Sequence, residues 1–492
     1  MRKILVAALL AAICALCACE PAPSASVASA EQTSVTPALP GNTGAVPART
    51  GKEDSDMPTM EPAVSPEHTA EPVKDFPERV AAGLEDRWEG RQAIVVVAGG
   101  VDSSDAELWL YEKNGSYWKA VEGPWPAMVG KNGMSKQAEG DGRAPSGVFL
   151  LGTAFGTEEK PDGAAYQYRK LDSSDRWVDD RNSPFYNRWV RGTEKVCGNG
   201  ENLSRIEQYR HAVVIHYNDR AETERGSAIF LHVWKDPGQP TLGCTAISRE
   251  NMVELLRWLD YAARPVLVQG TEEQIGKLME EDWGLLCLPE GWGFVDDFLP
   301  DVQPELRYFK NENFTGNPVP GYEAPLAPMR MEAIEALAKV AGGLKAKKLG
   351  IRIFDAYRPQ KATDAMIAWA EDETDTATKE EYYPGIEKAD IPGHYVARKS
   401  GHRMGGTVDL TLLSWKDGED LEMGGPFDFF GEMSSFGYRG LTKTQSANRE
   451  KLRSLMSTHG FNPYDKEWWH FSLTVEGEGG TFIILPREHM CR

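Results

Sequence analysis

The chain has 492 residues, too many for one compact core, so two or three domains are expected. It is 41% hydrophobic and 26% charged, the make-up of an ordinary globular protein. Its formal net charge of -20 excludes nucleic acid as a partner, because phosphate would repel so acidic a surface, and it fits solubility.

At the start, Arg2 and Lys3 precede an apolar run from Ile4 to Leu16. That run is too short to span a bilayer as a mature helix and reads as an export signal. Leu16-Cys17-Ala18-Cys19 resembles a bacterial lipobox, which implies a membrane anchor through a lipid on Cys19 and a signal peptide over residues 1–19. A plain secretory signal is the alternative. Both place the chain outside the cytoplasm, in the cell envelope or periplasm. Residues 20–85 are rich in Pro, Ala, Ser, Thr and Glu and poor in aromatics. Such a stretch buries too little apolar surface to offset its ordering entropy, so it reads as a disordered tether. Export permits disulfides, and a Cys287–Cys491 pairing stays open.

From residue 86 to about 270 the pattern is strand-rich. Ala93–Val97 is a buried run, and Glu107–Tyr111 alternates ahead of an Asn114-Gly115 turn. Strands are expected at Val148–Leu151, His211–Tyr217, Ala228–Val233 and Val266–Gln269, with a helix over Glu250–Ala262 ending near Arg264-Pro265. Residues 271–285 form a linker that begins with a short acidic helix. From 286 to 492, helices at Met331–Leu344, Ala362–Ala370 and Asn448–Thr458 intermix with strands at Leu349–Phe354, Gly406–Leu413 and Trp468–Thr474. The lack of a regular βαβ rhythm gives an α+β domain.

The strongest chemical signal lies in this last domain. Ser400-Gly401-His402 runs through glycines to Asp409, which opens an apolar strand, and Glu467-Trp468-Trp469-His470 follows later. Two histidines and a carboxylate with one open position suit a catalytic zinc, and a second carboxylate suits a proton carrier. The region from Trp283 to Leu485 resembles the VanX-like zinc peptidases that cleave D-alanyl-D-alanine. The resemblance rests on ordered blocks: Arg307-Tyr308 with Asn313-Phe314-Thr315-Gly316; Asp355-Ala356-Tyr357-Arg358-Pro359; Tyr382-Tyr383-Pro384; Ser400 to Asp409; Phe427-Asp428-Phe429; and Glu467 to His470. It implies one zinc held by His402, Asp409 and His470. It also implies Glu467 as general base, Arg358 on the oxyanion, Ser400 on the substrate, and Tyr308 with Asp428 on the free ammonium. Without the resemblance, Arg358 reads as a structural salt bridge. Gly401 and Thr407 depart from the commonest residues of the pattern and touch only pocket shape.

A second constellation lies in the middle domain. Gly226 to His232 is an apolar strand ending in histidine, and Thr241-Leu242-Gly243-Cys244 follows. A thiol beside an imidazole suits nucleophilic catalysis, with the histidine lowering the thiol pKa and amides near Gly243 and Cys244 serving an oxyanion. From spacing alone, a buried cysteine and a core histidine fit equally well. The segment resembles the YkuD-type L,D-transpeptidases through Gly140-Asp141-Gly142-Arg143-Ala144-Pro145-Ser146-Gly147-Val148-Phe149, with His232 as base and Cys244 as nucleophile. Leu242 stands where many members carry histidine, so transpeptidation and L,D-carboxypeptidation both stay open. His216 reads as core in preference to pocket.

The expectation is therefore a multidomain, lipid-anchored envelope enzyme: a β-rich YkuD-like catalytic domain followed by an α+β zinc peptidase domain of the D-Ala-D-Ala dipeptidase/carboxypeptidase type. Its substrates would be D-Ala-D-Ala and peptidoglycan stem peptides. The rival readings are a zinc D,D-carboxypeptidase on whole stem peptides and a non-catalytic wall-binding lipoprotein.

Overall fold

A computed structural model describes residues 76–198 and 200–491. The signal, Cys19 and the tether up to residue 75 lie outside the described residues. The tether expectation is corrected for residues 76–85, which belong to helix α1, Phe76–Arg87. Val80 and Leu84, four apart on one face, share a core with Trp88, Trp118 and Trp283. Val80 and Leu84 on a charged segment were too sparse a signal to read; of the tryptophans that cover them, Trp88 follows the helix directly and Trp118 and Trp283 come from elsewhere in the chain.

The first region is built from β1 (Gln92–Ala98), β2 (Asp105–Asn114), β3 (Tyr117–Met128), β4 (Gly147–Gly156), β5 (Tyr168–Lys170), β6 (Asp175–Trp177), β7 (Trp189–Arg191), α2 (Glu194–Cys197), β8 (Glu201–Asn202), β9 (Ala212–Ile215), β10 (Phe230–Val233), β11 (Thr245–Ile247), α3 (Arg249–Trp258), β12 (Val266–Thr271) and α4 (Glu272–Leu278). The pairing order is β12-β1-β2-β3-β11-β10-β9-β4, and β12 also pairs with β4, which closes the strands into a barrel. β1 is buried on both faces because its period-two alternation serves two cores. Ile94 and Val96 face the barrel interior, while Ala93 and Val95 face α1 and α4. Ser248 caps α3, and a Thr271/Gln274 capping box starts α4. β6, β7 and β8 form a small separate sheet.

The second region contains β13 (Trp292–Phe294), α5 (Val295–Phe298), β14 (Gln303–Pro304), β15 (Pro328–Arg330), α6 (Met331–Lys345), β16 (Leu349–Asp355), α7 (Gln360–Glu371), α8 (Lys379–Tyr382), β17 (Thr407–Ser414), α9 (Lys443–Thr458), β18 (Asn462–Tyr464) and β19 (Glu467–Ser472). Its main sheet runs β14-β16-β17-β19-β18, with a two-stranded β13-β15 sheet beside it. Helices α6, α7 and α9 send Leu337, Val340, Met366, Leu452 and Met456 into the core shared with Ile353, Leu410, Leu412 and Phe471 of the sheet.

The final strand, β20 (Glu488–Met490), returns to the first region and pairs antiparallel with β4. Just before it, Arg487 is buried among Asp219 of the first region and Asp296 and Asp297 of the second. His216, expected as core, joins this network through Asp297 at 2.7 Å. Cys287 and Cys491 are both free thiols, so the pairing left open is not made.

Candidate functional sites

The two best ligand candidates of the second region sit directly across a strand pair. β17 and β19 are antiparallel with Asp409 opposite His470. His402 arrives from a single tight turn, Gly401–Met404, that Ser400 caps by accepting the His402 amide at 3.2 Å. Gly405 ends the turn at φ 78, and a β-carbon there would stand 2.4 Å from the Trp292 ring, so only glycine fits. The His402 Nδ1–H donates to the Ala356 carbonyl at 2.6 Å, which leaves Nε2 facing inward.

Ligand atoms of His402, Asp409 and His470 all lie within 4.8 Å of one another. His402 Nε2 is 3.4 Å from Asp409 Oδ1, and His470 Nδ1 is 3.1 Å from the same oxygen. Yet His402 Nε2 and Asp409 Oδ1 are buried with no hydrogen-bond partner among the described residues. Buried polar atoms left unsatisfied cost free energy, and two of them converging beside the His470 Nδ1 fit a shared cation. His402 is 1% exposed and Asp409 2% exposed, so bulk solvent does not reach them. Burial works to raise the Asp409 carboxyl, but the two imidazoles outweigh it and hold it far below the usual range.

Glu467 opens β19 with its Oε2 3.5 Å from His470 Nδ1. Burial pushes its carboxyl up to about 7, against the lowering effect of His470. Arg358 is fixed by Asp355, which takes Nε at 2.9 Å and Nη2 at 2.8 Å. The guanidinium stands 3.6 Å from Asp409 Oδ2 and lies over the Tyr308 ring at 4.9 Å. The Tyr308 hydroxyl donates to Asp428 Oδ1 at 2.9 Å, and Asp428 Oδ2 is buried with no hydrogen-bond partner among the described residues. Burial raises the Asp428 carboxyl well above its ordinary value. Asp428 takes a left-handed backbone, φ 64, a conformation a non-glycine residue keeps only when its surroundings hold it.

Sequence reasoning missed Asp355. It is fully buried, accepts Tyr322 at 2.7 Å, holds Arg358, and stands 3.3 Å from His402 Nδ1. Its three-residue spacing to Arg358 was the available signal.

In the first region, Cys244 directly precedes β11 and His232 lies on the neighbouring parallel strand β10, opposite Ala246. Both line one cavity of ≈ 460 Å³ with Lys136, Glu139, Glu201 and Tyr209. The Cys244 sulfur donates to the Ala228 carbonyl and accepts the Phe230 amide, each at 3.4 Å. His232 Nδ1–H donates to the Val233 carbonyl at 2.9 Å, so Nε2 is the nitrogen left to act as base. The Tyr209 ring packs edge-on against His232 at 5.6 Å, and its hydroxyl donates to Glu201 at 3.2 Å.

The expectation of a thiol acidified by histidine is corrected here. Burial pushes Cys244 up to about 12 and His232 down to about 4, so the resting pair is neutral. The Gly243 amide, expected free for an oxyanion, donates to the Thr241 hydroxyl at 3.1 Å. The Gly140–Phe149 block earns its place by folding the loop before β4. Asp141 accepts the amides of Gln137, Ala138 and Arg143 and the Lys136 ammonium, and that lysine lines the Cys244 cavity.

Residues 290–491 match the family model described as D-ala-D-ala dipeptidase, and residues 98–268 match that of the L,D-transpeptidase catalytic domain, YkuD. A D-alanyl-D-alanine dipeptidase of Enterococcus faecium is 36% identical over 40% of this chain and 98% of its own length. One from Enterococcus faecalis is 38% identical with the same coverage. One from Escherichia coli is 32% identical over 39% of this chain and 88% of its own length. The chain belongs to the D-Ala-D-Ala dipeptidase family. These relatives cover 40% of it or less, and the dipeptidase-family region is joined to a YkuD domain at 98–268.

Proposed function

We propose that the second region hydrolyses D-alanyl-D-alanine to two D-alanines with one zinc held by His402, Asp409 and His470. The observation that carries this is the convergence of His402, Asp409 and His470, with His402 Nε2 and Asp409 Oδ1 unpartnered among the described residues, beside the Tyr308–Asp428 pair. Bound there, zinc supplies Lewis-acid polarisation of the substrate carbonyl and an activated water. Glu467 takes the proton from the attacking water and delivers it to the departing amine as the carbon–nitrogen bond breaks. Arg358, held rigid by Asp355, stabilises the charge that builds on the carbonyl oxygen. Ser400 hydrogen-bonds the substrate beside His402. The open Oδ2 of Asp428, next to the Tyr308 hydroxyl, receives the free ammonium. With Tyr308 2% and Asp428 3% exposed, an N-acylated peptide would bury that carboxyl without its partner, so the free dipeptide is favoured over whole stem peptides.

The first region acts on stem peptides through Cys244. His232 Nε2 accepts the thiol proton, the sulfur attacks the carbonyl, and the proton leaves with the released D-amino acid. An acceptor amine or water then resolves the thioester. Both sites work outside the cytoplasm, with the chain anchored through Cys19. This rests on the sequence of residues 1–19, and incorporation of labelled palmitate that a Cys19→Ala change removes would test it.

The deciding experiment measures free D-alanine from D-Ala-D-Ala, with and without zinc, beside Glu467→Ala. Zinc-dependent release absent from the variant supports the dipeptidase. Release only from a stem pentapeptide moves the assignment to a carboxypeptidase, and no release from either favours a wall-binding protein.

A further inference from the structure

The last strand of the chain belongs to the dipeptidase-family region by sequence and to the YkuD domain by hydrogen bonding. On β20, Glu488 stands opposite Phe149 of β4 with its side chain 6% exposed. Its carboxylate reaches into the loop from Asn218 to Ala228. Oε2 accepts the Asn218 amide at 2.7 Å, and Arg225 grips both oxygens, Nη1 to Oε1 at 2.8 Å and Nη2 to Oε2 at 3.0 Å. This two-pronged geometry fixes direction as well as distance.

The loop it holds is the one that carries the acceptor of the Cys244 thiol. Asn218 Nδ2 donates to the Glu222 and Gly226 carbonyls, both at 2.8 Å. Gly226 leads into Ser227 and Ala228, which line the Cys244 cavity, and the Ala228 carbonyl is the acceptor for the thiol. Asn218, Ala221 and Ala228 all take left-handed φ values, 62, 56 and 54. Non-glycine residues keep such conformations only where their surroundings over-determine them. Much of that constraint comes from within the first region, where Asn187 accepts the Ala228 amide at 3.2 Å and donates to the Asn218 carbonyl at 3.0 Å, and the Tyr217 hydroxyl donates to the Arg225 carbonyl at 2.7 Å. Glu488 adds the constraint that comes from the C-terminal strand.

We propose that Glu488 is a positioning residue for the Cys244 site, so that the C-terminal strand sets the loop on which the nucleophile rests. This rests on the reading of Cys244 as nucleophile. A first region ending at residue 270 therefore lacks a component of its own site.

The test uses the full chain with Glu488→Ala, Glu488→Gln, Arg225→Met and Cys244→Ala. Three rates are read: D-alanine release from a stem tetrapeptide, D-Ala-D-Ala hydrolysis with zinc, and alkylation of Cys244 by iodoacetamide followed by peptide mass. Glu488→Ala is expected to lower kcat on the tetrapeptide about 10-fold or more with little change in KM, the size of loss that small misplacement produces. Alkylation quickens several-fold as the loop loosens, and dipeptide hydrolysis stays at the wild-type rate. Glu488→Gln keeps one acceptor oxygen for Asn218 and one Arg225 prong but turns its NH2 against the other, and recovers part of the kcat. Wild-type kcat and wild-type alkylation in Glu488→Ala overturn the proposal. Full tetrapeptide turnover by Cys244→Ala instead overturns the nucleophile reading, and the alkylation rate then decides the clamp alone. Should Glu488→Ala lose both activities by failing to fold, Arg225→Met, which removes the other half of the pair, carries the same test.

Discussion

Replacing Arg487 by methionine tests whether the two regions form one stability unit. The guanidinium is 1% exposed and meets Asp219 at 2.9 and 3.0 Å, Asp296 at 2.7 and 3.1 Å, and Asp297 at 3.1 Å. Methionine fills much of the space but strands the carboxylates, Asp219 being 4% and Asp297 2% exposed. Removing one partner of a buried ion pair costs about 3–5 kcal/mol. With an unfolding entropy of about 2.1 cal/mol/K per residue over roughly 400 residues, that lowers Tm by about 5 °C. The pH dependence carries the stronger signature. In the wild type, burial would raise the Asp219 carboxyl, but Arg487 and His216 outweigh it and hold it well below the usual range. A depressed folded pKa contributes stability that is present above the unfolded value of about 3.9 and lost as pH falls through the folded pKa. In Arg487→Met burial dominates, the folded pKa rises, and the sign reverses: the penalty is complete at pH 8 and is relieved towards pH 4.5. Calorimetry at fixed, saturating zinc should show a Tm gap between the two proteins that narrows as pH falls. A gap that is the same at both pH values, or under about 1 °C at pH 8, refutes the reasoning.

Glu467→Gln should retain bound zinc, read by metal analysis, while kcat on D-Ala-D-Ala falls by about 10²–10⁴. Burial holds Glu467 up at about 7 without metal. A neighbouring cation lowers it, so the acid limb of kcat/KM in the loaded protein should lie below 7. His402→Ala should abolish zinc binding and dipeptide hydrolysis together and leave Cys244 alkylation unchanged. Asp428→Asn should raise KM for the dipeptide more than it lowers kcat and narrow the preference over an N-acetylated analogue, measured by competition. With its thiol pushed up to about 12, Cys244 in the free protein should alkylate at pH 8 on the order of 10³ times more slowly than an exposed cysteine, and faster as pH rises.

Much of the fold was legible because its strands and helices carry strong periods. β1, β4, β16 and β17 are apolar runs, and α6 keeps its alanines and leucines on one face. The elements that escaped lack such a period. β3 contains Pro124 and Pro126 and is exposed along most of its length, so it reads as a loop. β20 is three half-buried residues, Glu488-His489-Met490, and its strand character comes wholly from the edge of β4 that it joins. The metal candidates were readable because glycines and a strand-opening aspartate leave a spacing signature. Glu488 was not, because its partner Arg225 is far away in the chain, and Asp355, Glu201 and Tyr209 were not, because a single local spacing to Arg358 or to each other carries no signature of a site. Protonation was least legible of all: the sequence pairs a thiol with an imidazole, and only burial pushes the thiol up and the imidazole down.

The two sites solve opposite electrostatic problems in one folded body. Around Asp409 the chain assembles a buried carboxylate, two imidazoles and a guanidinium, with ligand atoms left unpartnered. Such a cluster suits a cation at its centre, and on the proposed reading its activity depends on metal supply. Around Cys244 burial drives both titratable partners to their uncharged forms, each satisfied by backbone groups. That pair needs no ion and resists adventitious alkylation, and its charge separation waits for a substrate carbonyl and an oxyanion donor. The Thr241 hydroxyl now occupying the Gly243 amide must yield at that moment. Removing that hydroxyl therefore tests the order of events: Thr241→Val should free the amide and raise kcat for D-alanine release from a stem tetrapeptide, whereas an unchanged kcat would place the oxyanion donor elsewhere in the cavity.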